Sequence, residues 1–320
     1  MTVAILLFIV KTIAYYLTQS VAILTDTLES IVNVIAGFIG LYSLYVASKP
    51  RDLDHPYGHG KAEFLSAAVE GAMVLMASLI IIYEAIEDFL YPHTIQQLDS
   101  GLLLVAFTAL VNFAVGFISV RKGKKNNSLA LQASGRHLQS DTYSTLGVVA
   151  GLLVIFFTHW IWVDGVAAIL IAVINIYTGY HILRESIAGI MDEADLTLLS
   201  KMVSYLNKHR RQNWIDLHNL RVIKYGNVLH IDCHLTVPWY LTVFQAEDEV
   251  GSLIQSIKSE FGSAIEMFVH TDPCLDFSCN ICTKSDCEVR QRPFAKQVQW
   301  TLENVITDHK HSLEAISQES

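Results

Sequence analysis

The chain has 320 residues, of which 52% are hydrophobic and only 17% charged, with a formal net charge of −9. That composition lies on the membrane side of ordinary soluble proteins. No part of it shows the basic, aromatic-laced patch of a nucleic-acid-binding surface, so no nucleic-acid partner is expected.

Six transmembrane helices are predicted, over about 2–18, 20–47, 63–91, a fourth containing 102–120, 128–158, and a sixth containing 165–183. Residues 102–120 and 165–183 contain no Asp, Glu, Lys or Arg. Each approaches the ~20 apolar residues that cross a bilayer. No basic region precedes the first span and no small-residue cleavage site follows it, which argues against a removed signal peptide. The connection after helix 2 carries Lys49, Arg51 and Lys61, and the one after helix 4 carries Arg121, Lys122, Lys124 and Lys125. The alternate connections, "YPHTIQQLDS" and "THWIWVDG", have no Lys or Arg. Basic loops stay on the cytoplasmic side, so both termini are expected there.

Residues 1–184 therefore read as the membrane domain, and residues 185–272 as a small α+β unit. In the latter, "DLTLLSKMVSYLNKHR" and "FQAEDEVGSLIQSIKSEF" have helical periodicity. "HNLRVIKYGNVLHIDCHLTV" gives two strands about a Gly226–Asn227 turn, and "IEMFVHTD" a third. Residues 273–320 comprise a Cys-rich insert and a final helix that Pro293 is expected to open, with Phe294, Val298, Leu302, Val305 and Ile306 on its apolar side.

Several polar groups interrupt the apolar spans. Asp26, Glu29 and Asn33 in "LTDTLESIVNVIAG" share one helical stripe, and "HLQSD" puts His137 and Asp141 one turn apart in the fifth span. Ionisable groups at membrane depth are costly unless they face the bundle interior and find partners there. Two such helices facing each other would gather Glu29, Asn33, His137 and Asp141 around one point. Imidazole with carboxylate oxygens suits a divalent transition metal, and four inward ligands allow a tetrahedral cage. Polar helix–helix contacts would explain any one of these residues alone, but two paired sets in separate spans favour the metal.

At these residues the sequence resembles the cation diffusion facilitator family. The resemblance implies six transmembrane helices, a cytoplasmic ferredoxin-like domain, a homodimer, and a four-ligand metal site at Glu29, Asn33, His137 and Asp141. "DLDHPYGHGKAE" resembles the family's loop between helices 2 and 3, where Asp52, His55 and His59 would bind a second metal; loop anchoring by hydrogen bonds is the other reading. In "HIDCHL" and "HTDP", His234, His270 and Asp272 match family positions that bind zinc in the cytoplasmic domain, and Glu247 stands where a His is common. Against the zinc-transporting pattern, Glu29 adds a methylene and Asn33 removes a charge, leaving water or Asp26 to complete the coordination.

Outside the family core, Cys274, Cys279, Cys282 and Cys287 form a C-x4-C-x2-C-x4-C arrangement. Cytoplasmic thiols are normally reduced, and four thiolates around a central C-x2-C suit a closed structural zinc site. A metal-loading site and free thiols are the alternatives. The expected function is efflux of a divalent transition metal, zinc first, from the cytoplasm. Metal displaces protons from its ligands, so the exchange would be for protons, by alternating access, in a bacterial inner membrane. A membrane metal sensor that moves nothing and an intramembrane metallohydrolase are the other classes. The second lacks H-E-x-x-H, so no enzyme is expected.

Overall fold

In a computed structural model of the chain, the described residues are 2–91, 97–125, 129–225 and 228–313. They fall into two compact units, Met1–Val46 with Ala62–Ile187, and Ala47–Lys61 with Ala188–Ser320.

The first unit is built from α1 (Thr2–Thr18), α2 (Val21–Ala47), α3 (Ala62–Leu90), α4 (Leu98–Lys125), α5 (Leu129–Thr158) and α6 (Trp162–Ile190). Five of these, α2 to α6, are long and apolar enough to cross a membrane. The 17 residues of α1 reach about 25 Å, slightly less than a ~30 Å hydrocarbon core. Large apolar side chains such as Leu41, Leu79, Leu110 and Leu170 lie on the outside. That arrangement suits lipid as the surrounding solvent.

Small residues let the helices approach closely. A Cβ on Gly71 of α3 would lie 2.9 Å from the Leu183 backbone nitrogen of α6, and one on Gly135 of α5 would lie 2.7 Å from the Val120 nitrogen of α4. In membranes such backbone proximity carries much of the packing energy. The start of α2 is fixed by Asp164 of α6, which accepts from Ser20 Oγ at 2.7 Å and from the Val21 N–H at 2.6 Å. A carboxylate there satisfies donors that the first helical turn leaves unpaired.

In the second unit, α7 (Leu196–Lys208), β1 (Asp216–Tyr225), β2 (Val228–Val237), α8 (Val243–Phe261) and β3 (Ile265–Pro273) follow in order. The sheet order is β1-β2-β3, with β1 and β2 antiparallel and β2 and β3 parallel. This is the ferredoxin-like arrangement of helices on one side of a small sheet. Asp195 caps α7 by accepting from the Leu198 N–H at 3.0 Å, and Thr242 with Gln245 forms a capping box on α8. Leu199, Met202, Val203 and Leu206 of α7 and Leu253 and Ile257 of α8 pack with Ile231, Cys233 and Leu235 of β2. The predicted Gly226–Asn227 turn lies outside the described residues.

The final helix opened by Pro293 does not form. Residues 293–301 have no regular structure, and Leu302–Val305 make a single helical turn, α9. The reason is tertiary: Val298 and Trp300 are buried while Gln299 between them is exposed, a two-residue alternation that an extended chain satisfies and a helix does not. Asn207 of α7 holds this segment through both the N–H and the carbonyl of Trp300. Trp300 and Val305 join the same core as the sheet. Trp300, Leu302 and Val305 thus tie the segment after the Cys-rich insert to the core of the second unit.

Candidate metal centres

In the six-helix unit, a cavity of about 250 Å³ is lined by Glu29 and Asn33 of α2, Asp141 and Ser144 of α5, Glu70 of α3, and Asn175 and Thr178 of α6. Asn33 Nδ2 donates to Asp141 Oδ2 at 3.2 Å. Three of the four residues expected to form the intramembrane set therefore face one space. His137 is on the helical backbone of α5 one turn before Asp141, and its side chain lies outside the described ones. Glu70 was missed by sequence reasoning. Its signal was available, as an acidic residue within an apolar span that carries no base to pair with it.

Asp26 does not face this cavity. Its Oδ1 takes Lys11 Nζ of α1 at 2.9 Å and Thr145 Oγ1 of α5 at 2.8 Å, and both charged side chains are almost wholly buried. A carboxylate already paired with an ammonium is a poor candidate for an extra ligand, and the structure gives Asp26 the role of tying α1, α2 and α5 together.

In the second unit, Asp52, His55 and His59 bring ligand atoms within 4.8 Å of one another. Asp52 Oδ1 lies 3.0 Å from His55 Nδ1, and Oδ2 lies 3.3 Å from His59 Nε2. The His55 N–H also donates to Asp52 Oδ1 at 2.7 Å, and this bond, with the imidazoles, holds the Asp52 carboxyl below its ordinary range. The loop is anchored independently. Arg51 pairs with Glu266, Lys61 Nζ reaches Asp192 Oδ2 at 2.8 Å, and the Tyr57 ring lies 5.6 Å from that of His230. These contacts anchor the loop without the Asp52–His55–His59 group.

A second cluster sits on the sheet, where His218, His234 and Asp272 place ligand atoms within 4.8 Å of one another. Asp272 Oδ2 lies 3.1 Å from His234 Nδ1 and 3.3 Å from His218 Nε2. His234 is the register partner of His218 on β1 and of His270 on β3. His270 is mostly exposed, with Nε2 3.9 Å from Asp272 Oδ1. Glu247 is exposed on α8 and does not join the group. Two imidazole nitrogens and a carboxylate oxygen fit a divalent transition metal. Behind them, Asp216 Oδ2 is 3.4 Å from His218 Nδ1, the usual arrangement by which a carboxylate orients a metal-binding imidazole. Burial works against ionisation of Asp216, but hydrogen bonds from His218 and His311 outweigh it and hold the carboxyl well below the usual range.

His218 was missed because of a β-bulge. Regular pairing continued from Arg221–Asp232 would set Asn219 opposite His234, whereas the register shifts between His218 and Arg221 and brings His218 there instead. Asn219 takes up the slack at φ 53°.

The sequence profile of the cation efflux transmembrane domain matches residues 1–191, and that of the cation efflux cytoplasmic domain matches residues 197–274. The chain belongs to the cation diffusion facilitator family. It is 34% identical over 264 residues to an uncharacterized transporter of Synechocystis sp., covering 82% of this chain and 84% of the relative. It is 28% identical over 259 residues to a cadmium, cobalt and zinc/H(+)-K(+) antiporter of Bacillus velezensis, with 79% and 80% covered. A manganese efflux system protein of Bacillus subtilis is 26% identical over 266 residues, with 80% and 87% covered. As a cation diffusion facilitator, the chain is an integral membrane transporter of divalent cations and not an enzyme.

Three of the four clustered cysteines lie beyond the matched cation diffusion facilitator domains. Among the described residues, no three sulfurs of Cys274, Cys279, Cys282 and Cys287 lie within 4.8 Å of one another, and all four thiols are free. The intervening loop is held by Arg290, which donates to the carbonyls of Cys279 and Cys282 at 2.8 and 3.1 Å and to that of Lys284. Cys282 packs with Ile215, Ile281 and Val298, and burial raises the Cys274 thiol. Cys233 faces the main core, and burial pushes its thiol up to about 12, as for a small hydrophobe rather than a ligand.

Proposed function

We propose that this protein exports a divalent transition metal, zinc first, from the cytoplasm in exchange for protons, working as a homodimer in a bacterial inner membrane with both termini cytoplasmic. The observation that carries this reading is the α2–α5 cavity, where Glu29, Asn33 and Asp141 meet inside an apolar bundle. Glu29 and Asp141, with His137, receive the cargo and carry protons on the return. Two ionised carboxylates balance the charge of a divalent ion, and the imidazole nitrogen favours a transition metal over magnesium or calcium. Alternating access would then expose this one set to each side in turn. The Bacillus velezensis antiporter supports metal-for-cation exchange, and with the manganese efflux protein of Bacillus subtilis it leaves zinc, cadmium, cobalt and manganese in play.

Asp52, His55 and His59 are assigned a second metal, and His218, His234 and Asp272, with His270 beside them, a metal that favours one geometry of the dimer. The four cysteines are assigned a structural zinc, for which their sulfurs would have to close in on one another. Zinc retained by the purified protein and lost with Cys279→Ser and Cys282→Ser would support that site.

The main test is flux into sealed proteoliposomes under an imposed pH gradient, comparing zinc, manganese, iron(II), cobalt and cadmium. Saturable, proton-coupled zinc flux that Asp141→Ala abolishes is expected. Flux retained in that variant would rule out the cavity as the transport site.

A further inference from the structure

The two carboxylates that flank His218 are each held by a basic residue from the C-terminal segment. Lys310 Nζ lies 3.5 Å from Asp272 Oδ1 and donates to the Pro273 carbonyl at 2.9 Å. The next residue, His311, donates its backbone N–H to Asp216 Oδ2 at 2.9 Å and places its imidazole against Oδ1. The segment reaches this position because Val305 is fully buried and the Thr307 carbonyl accepts from the Asn219 N–H at 2.6 Å, in the bulge beside His218. All of it lies beyond residue 274, where the match to the cytoplasmic domain ends.

We propose that Lys310 is a tethered competitor for the cytoplasmic metal centre: its ammonium stands against Asp272 in the metal-free protein, and a divalent cation bound by His218, His234 and Asp272 expels it. The inference rests on reading those three residues as ligands. The physical ground is mutual exclusion. A dication on Asp272 Oδ2 and an ammonium on Oδ1 of the same carboxylate repel at short range in a partly buried site, where water screens them poorly. Both side chains are mostly covered, at 18% and 16% exposure. The tether raises the metal concentration at which the site fills, and it makes filling release Lys310, the chain end beside it and, through the adjacent His311, the hold on Asp216. Metal occupancy thereby becomes a change in the tail, which a free ligand set could not produce.

The test uses the full-length protein in detergent, with zinc affinity measured by competition against a chromophoric chelator. Wild type, Lys310→Met and Lys310→Arg are compared, each with and without His234→Ala. Lys310→Met is expected to bind one zinc about tenfold more tightly, the equivalent of ~1.4 kcal/mol. Lys310→Arg should stay within about threefold of wild type, as expected from its retained charge, and the difference should vanish with His234→Ala. In wild type, zinc should speed hydrogen exchange in residues 302–313. Unchanged affinity in Lys310→Met, or tail exchange slowed by zinc, would overturn the tether. If His234→Ala alone retains every zinc, the ligand assignment fails instead. Should Lys310→Met be misfolded, the exchange measurement on wild type decides.

Discussion

Asn33 of α2 donates to Asp141 of α5 at 3.2 Å, so two of the four helices that line the cavity are bonded through groups assigned to the cargo. A carboxylate at position 33 could not donate, and it would repel Asp141 across the same gap. The amide therefore joins α2 to α5 where an ionised carboxylate would push them apart.

Asn33→Asp is accordingly expected to bind zinc at least ~tenfold more tightly, about 1.4 kcal/mol, and to export it more slowly, because release becomes the harder step. Zinc flux in proteoliposomes reads both as a lower KM and a lower maximal rate. An unchanged KM would place position 33 outside the cation path.

The Lys11–Asp26 pair gives a stability prediction. Removing one partner leaves a buried, uncompensated charge, which typically costs ~3–5 kcal/mol, whereas removing both is often neutral. Lys11→Met and Asp26→Asn should each lower the melting temperature in detergent, and the double variant should recover most of the loss. Additive losses would show that the two side chains act separately.

His311 gives a pH-dependent one. Burial alone would lower its pKa, but the hydrogen bond and charge of Asp216 outweigh burial and raise it above its ordinary value. A raised folded-state pKa contributes stability that is fully present below the unfolded value of ~6.5 and is lost as pH rises through the folded value. His311→Ala should therefore lower the melting temperature more at pH 6 than at pH 9. An equal loss at both would mean that packing, not charge, is what His311 supplies.

Gly71→Val would bring a side chain against the backbone of α6, where a Cβ alone already lies 2.9 Å from the Leu183 nitrogen. Little folded protein is expected by size-exclusion chromatography. Normal yield would show that α3 and α6 can separate at small cost.

Much of this architecture is legible in the amino-acid order, because lipid imposes long apolar runs and makes each polar interruption informative. Four predicted spans match α1, α2, α3 and α5 to within a residue, the charge-free stretches 102–120 and 165–183 lie inside α4 and α6, and the αββαβ order follows from helical and alternating periods. What escaped reading depends on tertiary context. His218 enters its cluster through a one-residue bulge that no period announces, and Asp26 looks like a ligand until Lys11, on another helix, is seen beside it. Residues 293–301 resemble a helix in composition, but the pull of both Val298 and Trp300 into buried clusters keeps them from forming one.

The clasp of Asp164 on Ser20 and Val21 has a mechanical side. With its first turn pinned to α6, any rocking of α2 is a rotation about that end, so the helix is a lever and displacement grows along it. At 1.5 Å per residue, Glu29 and Asn33 lie about 12 and 18 Å from the fulcrum, and a swing of roughly 10° moves them by about 2 and 3 Å. That is enough to break the contact between Asn33 and Asp141, while the pinned end scarcely moves.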